Sequence, residues 1–265
     1  MTRFTTDTAV RPTGAGSFGA TIDAGWWIER GPNGGYLAAI ILRAVMAEAG
    51  GVDRGPRSMT LHYLRPPTEG VCEVVVQIER AGRGMSTVTA RLRQGGRDCV
   101  LALIALGGPR PGPSLHDHPA PDVPPPTEVP PREAGTTVGP DIPFRHRFDL
   151  RPAIGALPFA AGTEALTGGW IRTADGDPID AVLLAAITDS WPPAIFSRLE
   201  LPVGVPTVEL TVHFRNAPSP DTEWCLVRFS TLEASEGYLE ESGEVWSPDG
   251  RLLAESRQLA VLLAP

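Results

Sequence analysis

The chain has 265 residues, 42% of them hydrophobic and 20% charged, enough for one large domain or two of ordinary size. Its net charge of −8 argues against nucleic acid or an anionic membrane surface as the main partner, although a local arginine cluster can still hold phosphate. Three cysteines (Cys72, Cys99, Cys225) without Cys-x-x-Cys spacing fit a reducing compartment better than a disulfide framework.

The opening "MTRFTTDTAVRPTGAGSFGA" has no apolar core of signal-peptide length, and no later window matches a membrane span, so a soluble cytoplasmic protein is expected. The first strong element is a helix, "GGYLAAIILRAVMAEAG", apolar nearly all round. Asn33 is a good N-cap before it, and Gly34 and Gly35 form its first turn. A helix N-terminus exposes polarised N–H groups, and glycine lets a ligand come close to them; an ordinary capped helix is the alternative. Strands follow in "MTLHYLRPP", "CEVVVQIER", "STVTARLRQGG" and "CVLALIAL", with turn residues between them.

Twelve of the 28 prolines then fall between Pro109 and Pro143. Proline removes the backbone donor, so this stretch is expected to be an extended, semi-rigid linker. His116 and His118 lie in it and are expected to be solvated loop residues. The boundaries implied are 1–108, a linker at 109–143, and 144–265.

Beyond the linker, "DAVLLAAITDSWPP" repeats the apolar helix, halted by Pro192 and Pro193. It carries Asp189 inside what looks like the most buried helix of the chain. An ionised carboxylate there costs several kcal/mol unless paired or hydrogen-bonded. Strands follow in "PTVELTVHFRNAP", "TEWCLVRFSTLEA", "GYLEESGEVWSPDG" and "RLLAESRQLAVLL", with "SPDG" a turn.

The two halves follow one plan. "MTLHYLRPP" matches "LTVHFRNAP", with Thr60 on Thr211, His62 on His213 and Tyr63 on Phe214, and "GGRDCVLALIAL" matches "DGRLLAESRQLAVL". Duplication at this scale means two copies of one domain. Each copy is a helix lying against an antiparallel sheet, giving an α+β, two-sheet body around two central helices. His62 and His213 recur in both copies, which favours structural or surface roles.

At this point the chain resembles the double-hotdog acyl-CoA thioesterases, of the acyl-CoA thioesterase II type, over nearly its whole length. The resemblance implies a tandem double hotdog, with two antiparallel sheets each wrapping a long central helix. It also implies an Asp on the second central helix (here Asp189), a Thr opening the next strand (Thr207) and a Gln on the last strand (Gln258). It further implies that the glycine pair beside Asn33 faces the thioester carbonyl. A thioester needs an attacking water, a base for its proton, and donors for the developing oxyanion. Asp189 suits the base, and Thr207 and Gln258 can orient the water. Counting along the repeat, Ile104 stands opposite Gln258 and Pro56 opposite Thr207, so one half has the polar trio and the other lacks it. A structural role should recur in both copies; a chemical one can survive in one.

The expected substrate is therefore acyl-CoA, without metal or organic cofactor, in an acyl tunnel lined by Leu184, Ile187 and Trp191. No nucleic acid or membrane partner is expected, and such folds pair into a homo-oligomer, a dimer of double hotdogs. Ser190 and Ser256 lack a nucleophile elbow, and no phosphate loop or zinc spacing is present. The rivals are a hotdog enoyl-CoA hydratase, which usually needs a His beside the acid, and a non-catalytic acyl-CoA-binding protein.

Overall fold

Each half is organised by a capped apolar helix, and the two helices pack on each other. In the computed structural model, which describes residues 2–51, 53–132 and 142–263, a short helix α1 (Arg3–Asp7) comes first. Strands β1 (Arg11–Gly14) and β2 (Ser17–Ile22) then lead to α2 (Gly34–Ala49). Asn33 Oδ1 accepts the Tyr36 N–H, the expected N-cap bond. From Gly35 to Val45 every residue of α2 except Arg43 is buried, which is why its sequence has no polar face.

Four strands complete the first half: β3 (Gly55–Tyr63), β4 (Gly70–Ala81), β5 (Met85–Gln94) and β6 (Arg97–Gly107). The second half has β7 (Phe148–Gly155), β8 (Leu166–Thr173), helix α3 (Ala181–Ile187), β9 (Thr207–Phe214) and β10 (Cys225–Ser230). It ends with β11 (Ala234–Ser235), β12 (Tyr238–Trp246) and β13 (Leu252–Val261). The expected "SPDG" turn joins the last two, with Gly250 at φ +82° and its N–H on the Ser247 carbonyl.

The strand order is β1-β2-β4-β5-β6-β3-β9-β13-β12-β10-β8-β7, with β11 beside β12. Read outward from the centre, the two sides have the same sequence of elements, so the repeat in the chain is a repeat in topology. At the centre β3 and β9 run antiparallel with Thr60 opposite Thr211, and their hydroxyls lie 2.9 Å apart. The two residues matched in sequence therefore face each other at the seam.

Three expectations need correction. The two sheets are hydrogen-bonded into one continuous sheet through β3 and β9; apart, each would leave an unpaired edge. The second helix is seven residues long, not long. Thr188 Oγ1 bonds the Ala185 carbonyl, and the N–H groups of Asp189 and Ser190 bond back three residues, tightening the end before Pro192. Asp189 thus stands in the turn after α3 rather than inside it.

The third correction concerns the proline-rich stretch. Residues 133–141 of the expected 109–143 linker lie outside the described residues. The part at 109–132 has no helix or strand, yet it is docked. Val123 and Val129 pack on Trp170, Trp224 and Trp246, and the Trp170 indole N–H donates to the Pro124 carbonyl at 2.8 Å. The outer face of the second half would otherwise expose three tryptophans, a large apolar patch. His118 is part of this docking: its ring stacks on Trp246 and its Nε2 lies 2.7 Å from Glu244. His116 is exposed, as expected, and so are His62 and His213 on the outer face of the central strands.

Candidate active site

Helices α2 and α3 meet end to start: a Cβ on Gly35 would lie 2.4 Å from the Ala186 carbonyl oxygen and 3.1 Å from its Cα. Only glycine allows that approach. It delivers the turn after α3 to the N-terminus of α2. There Asp189 Oδ2 accepts the Gly35 N–H at 2.8 Å and the Asn33 Nδ2 at 3.1 Å, while Asn33 Nδ2 also reaches the Asp189 carbonyl at 2.7 Å. The carboxylate belongs to one half and its donors to the other.

Two opposing effects set its acidity. Burial, the larger, pushes Asp189 up from 3.8 to about 6, against hydrogen bonds from Gly35, Gly34 and Asn33 that favour the anion. The positive end of α2 acts in the same direction as those bonds. The result is a half-buried carboxylate that is ionised at neutral pH and still basic enough to take a proton.

Asp189 lines a cavity of about 1050 Å³. Thr207 and Gln258 line the same cavity and are bonded to each other, Gln258 Nε2 donating to Thr207 Oγ1 at 2.8 Å. Asn33, Gly34 and Trp191 are also in its wall, with the Trp191 indole N–H fixed on Thr167 Oγ1 at 2.9 Å. Gly35 is not in the wall, and its N–H is already committed to Asp189. Leu184 and Ile187 depart from the expected tunnel: both are core residues outside the cavity wall. The turn after α3, at Asp189, Ser190 and Trp191, faces the cavity, while the side chains of the helix itself pack inward.

Two residues of the site were not singled out in the sequence. Tyr63 donates its hydroxyl to the Gly34 carbonyl at 2.9 Å, and burial, with Asp189 and Glu209 nearby, holds its own pKa well above the ordinary value. Glu241, on β12, also lines the cavity and is 6% exposed. Its signal was legible in period two: Leu239, Glu241, Gly243 and Val245 form the buried face of one strand. Arg30, Arg65, Arg132 and Arg145 make another part of the wall cationic, with His146 next to Arg145 in the same wall. Burial, and Arg145 beside it, lower the Arg132 guanidinium from its usual value. Among the described residues, no group of three His, Cys, Asp or Glu could hold a metal ion.

Two family models match the chain, one in each half. Residues 23–107 match the acyl-CoA thioesterase N-terminal domain, and residues 119–262 match the acyl-CoA thioesterase C-terminal domain. A protein of unknown function with hot dog fold from Alicyclobacillus acidocaldarius superimposes with a TM-score of 0.91 at 29% identity, covering 100% of this chain and 99% of that one. The acyl-CoA thioesterase II TesB2 of Mycobacterium marinum has the same fold, at a TM-score of 0.79 and 18% identity over 99% and 98% of the two chains. In sequence, the uncharacterized protein Rv0499 of Mycobacterium tuberculosis is 27% identical over 98% of both chains. With both family domains present in order along a hotdog-fold α+β chain, this protein belongs to the acyl-CoA thioesterase family and is a thioester hydrolase.

Proposed function

We propose that the protein hydrolyses acyl-CoA to a carboxylic acid and CoA, with Asp189 as the base that takes the proton of an attacking water. Thr207 and Gln258 orient that water, and Gly34, at the N-terminus of α2, is the member of the glycine pair on the cavity side. The observation carrying this reading is a half-buried Asp189 that shares a cavity wall with the bonded Gln258–Thr207 pair, in one half of a duplicated fold. The trio's counterparts in the other half are apolar. Counted from the two N-caps, Asn33 and Asp180, Asp189 matches Leu42 within α2.

The reaction follows from the chemistry of these groups. The water proton passes to Asp189, a C–O bond forms at the carbonyl carbon, and the tetrahedral intermediate collapses with cleavage of C–S. Desolvation favours this, because it raises the basicity of Asp189. Thiol release from acyl-CoAs of increasing chain length is the test. Turnover supports the reading; a folded protein that binds acyl-CoA and releases no thiol overturns it, in favour of a hydratase or a binding protein.

Rates are expected to follow ionisation of Asp189. With its pKa raised to about 6, kcat/KM should be flat near neutrality and fall about tenfold per pH unit below about 6. A pH–rate profile measured with the protein still folded at pH 5 checks this.

The cationic wall supports CoA, with its phosphates, as the thiol carrier. Replacing Arg145 by Gln should raise KM for acyl-CoA several-fold and leave kcat within about twofold, because a phosphate contact remote from the reacting carbon binds ground and transition states alike. The same KM should climb with ionic strength in the wild type. Steady-state kinetics on both proteins give the answer.

A further inference from the structure

A second carboxyl in the same cavity, the buried Glu241, has no part in the scheme with Asp189 as base. Glu241 sits directly across from Gln258 in the β12–β13 register, on the buried face of its strand. One of its oxygens accepts the backbone N–H of Ala194, the residue that follows Pro192 and Pro193 in the segment leading away from Asp189. The cavity wall includes Glu241 itself together with Asp189, Thr207 and Gln258.

The duplication makes this placement informative. The strand pairs β12–β13 and β5–β6 are counterparts, and Ile104, the counterpart of Gln258, is paired with Val88. Val88 is therefore the counterpart of Glu241, and it is fully buried. The scaffold is content with valine at this point of the strand. Strand pairing does not require a carboxyl there; it accepts the Ala194 N–H, and it appears only in the half that carries Asp189, Thr207 and Gln258.

We propose that Glu241 is the acid of the site, giving its proton to the departing sulfur. This rests on the thioesterase reading above and adds the second proton transfer to it. Asp189 takes the proton of the attacking water as the C–O bond forms and the carbonyl pair moves onto oxygen. When C=O reforms, the C–S pair leaves on sulfur and takes the proton of Glu241. Acid and thiol depart, Asp189 is protonated and Glu241 ionised, and exchange with solvent resets both.

The acidities fit that division. Burial, followed by the nearby negative charges of Asp189 and Glu240, raises Glu241 from 4.5 to about 8, against the Ala194 hydrogen bond that lowers it. Glu240 itself points to Arg257. The partner opposite on β13 is the neutral Gln258. Two carboxyls pushed apart in this way separate into a base and an acid at neutral pH.

The test compares acyl-CoA with a nitrophenyl thioester of the same acyl chain, whose thiolate leaves without needing a proton. In Glu241→Gln the amide oxygen still accepts the Ala194 N–H, but no proton can be transferred. Turnover of acyl-CoA is expected to fall by about two orders of magnitude, and that of the nitrophenyl thioester by a few-fold at most. Wild-type kcat on acyl-CoA should also decline above about pH 8, as Glu241 ionises, and this limb should be missing with the nitrophenyl thioester. That second measurement needs no variant. Equal losses on the two substrates, or no loss on either, together with an alkaline limb shared by both, would show Glu241 to be a structural group and overturn the assignment. Absence of wild-type turnover on either thioester would overturn the hydrolase reading itself, and this assignment with it.

Discussion

Replacing Asp189 by Asn is expected to reduce thiol release from acyl-CoA by about two orders of magnitude or more, the scale of a lost general base. Asparagine has nearly the same shape and can still accept the Gly35 N–H through its oxygen, so the loss is one of basicity rather than of packing. Stability should move the other way. Folding raises the Asp189 pKa from 3.8 to about 6, so the protonated form is the one the fold favours. That contribution is complete below the unfolded value and is lost as pH rises through about 6. Above it, the ionised carboxylate costs the native state on the order of 3 kcal/mol relative to its protonated form. The Asn variant escapes this penalty, so its Tm at pH 8 should equal or exceed that of the wild type. A carboxylate kept for structure would give the opposite pair: a lower Tm with activity falling only in proportion to the folded fraction. Parallel thiol-release and thermal-unfolding measurements at pH 5 and pH 8 separate the two cases.

Replacing Gly35 by Ala should damage both properties at once. Alanine normally favours a helix over glycine by about 1 kcal/mol. Here its Cβ would stand 2.4 Å from a backbone oxygen of α3, and backbone cannot swing aside as a flexible side chain can. Overpacking of this kind costs about 1–3 kcal/mol, so the clash should outweigh the propensity gain. The helices must part, which draws the Gly35 N–H away from Asp189 Oδ2. A Tm lower by several degrees is expected. Thiol release per folded molecule should also fall, by about tenfold, for loss of a charge-assisted hydrogen bond. A rise in Tm with full activity would show that the helix contact yields without cost, and that the bond from Gly35 does not matter to Asp189.

These two residues also show how the site divides between what is readable in a chain and what is not. Gly35 was visible as part of a glycine pair after an N-cap, but the partner that forbids a side chain there, Ala186, is 151 residues away. Asp189 was visible as a carboxylate in an apolar run. That it lies past the helix end, against the N-terminus of the other half's helix, depends on where α3 stops. The stop is set by Thr188 and Ser190 bonding back onto the helix, in competition with a periodicity that runs on through Asp189. Glu241 carried its signal in the alternation of its strand, yet a carboxylate among glutamates in "GYLEESGEVW" gains meaning only when Gln258 is seen opposite.

By itself, the sequence determined the elements and their duplication. Apolar periodicity, an Asn N-cap, proline stops and the match of "MTLHYLRPP" to "LTVHFRNAP" are local properties, and the helices, the paired strands and the asymmetry between the halves follow from them. Tertiary structure decided what depends on contacts between distant segments. It joined the two sheets through β3 and β9, because unpaired edges are costly. It laid the proline-rich stretch over three tryptophans that no local pattern marks as a shared face. It turned Leu184 and Ile187 inward to the core and brought Asp189, Gln258, Thr207 and Glu241 to one cavity. Local sequence sets which way a chain can bend, but burial and hydrogen bonding between segments far apart in the chain set what each carboxyl faces, and that determines its chemistry.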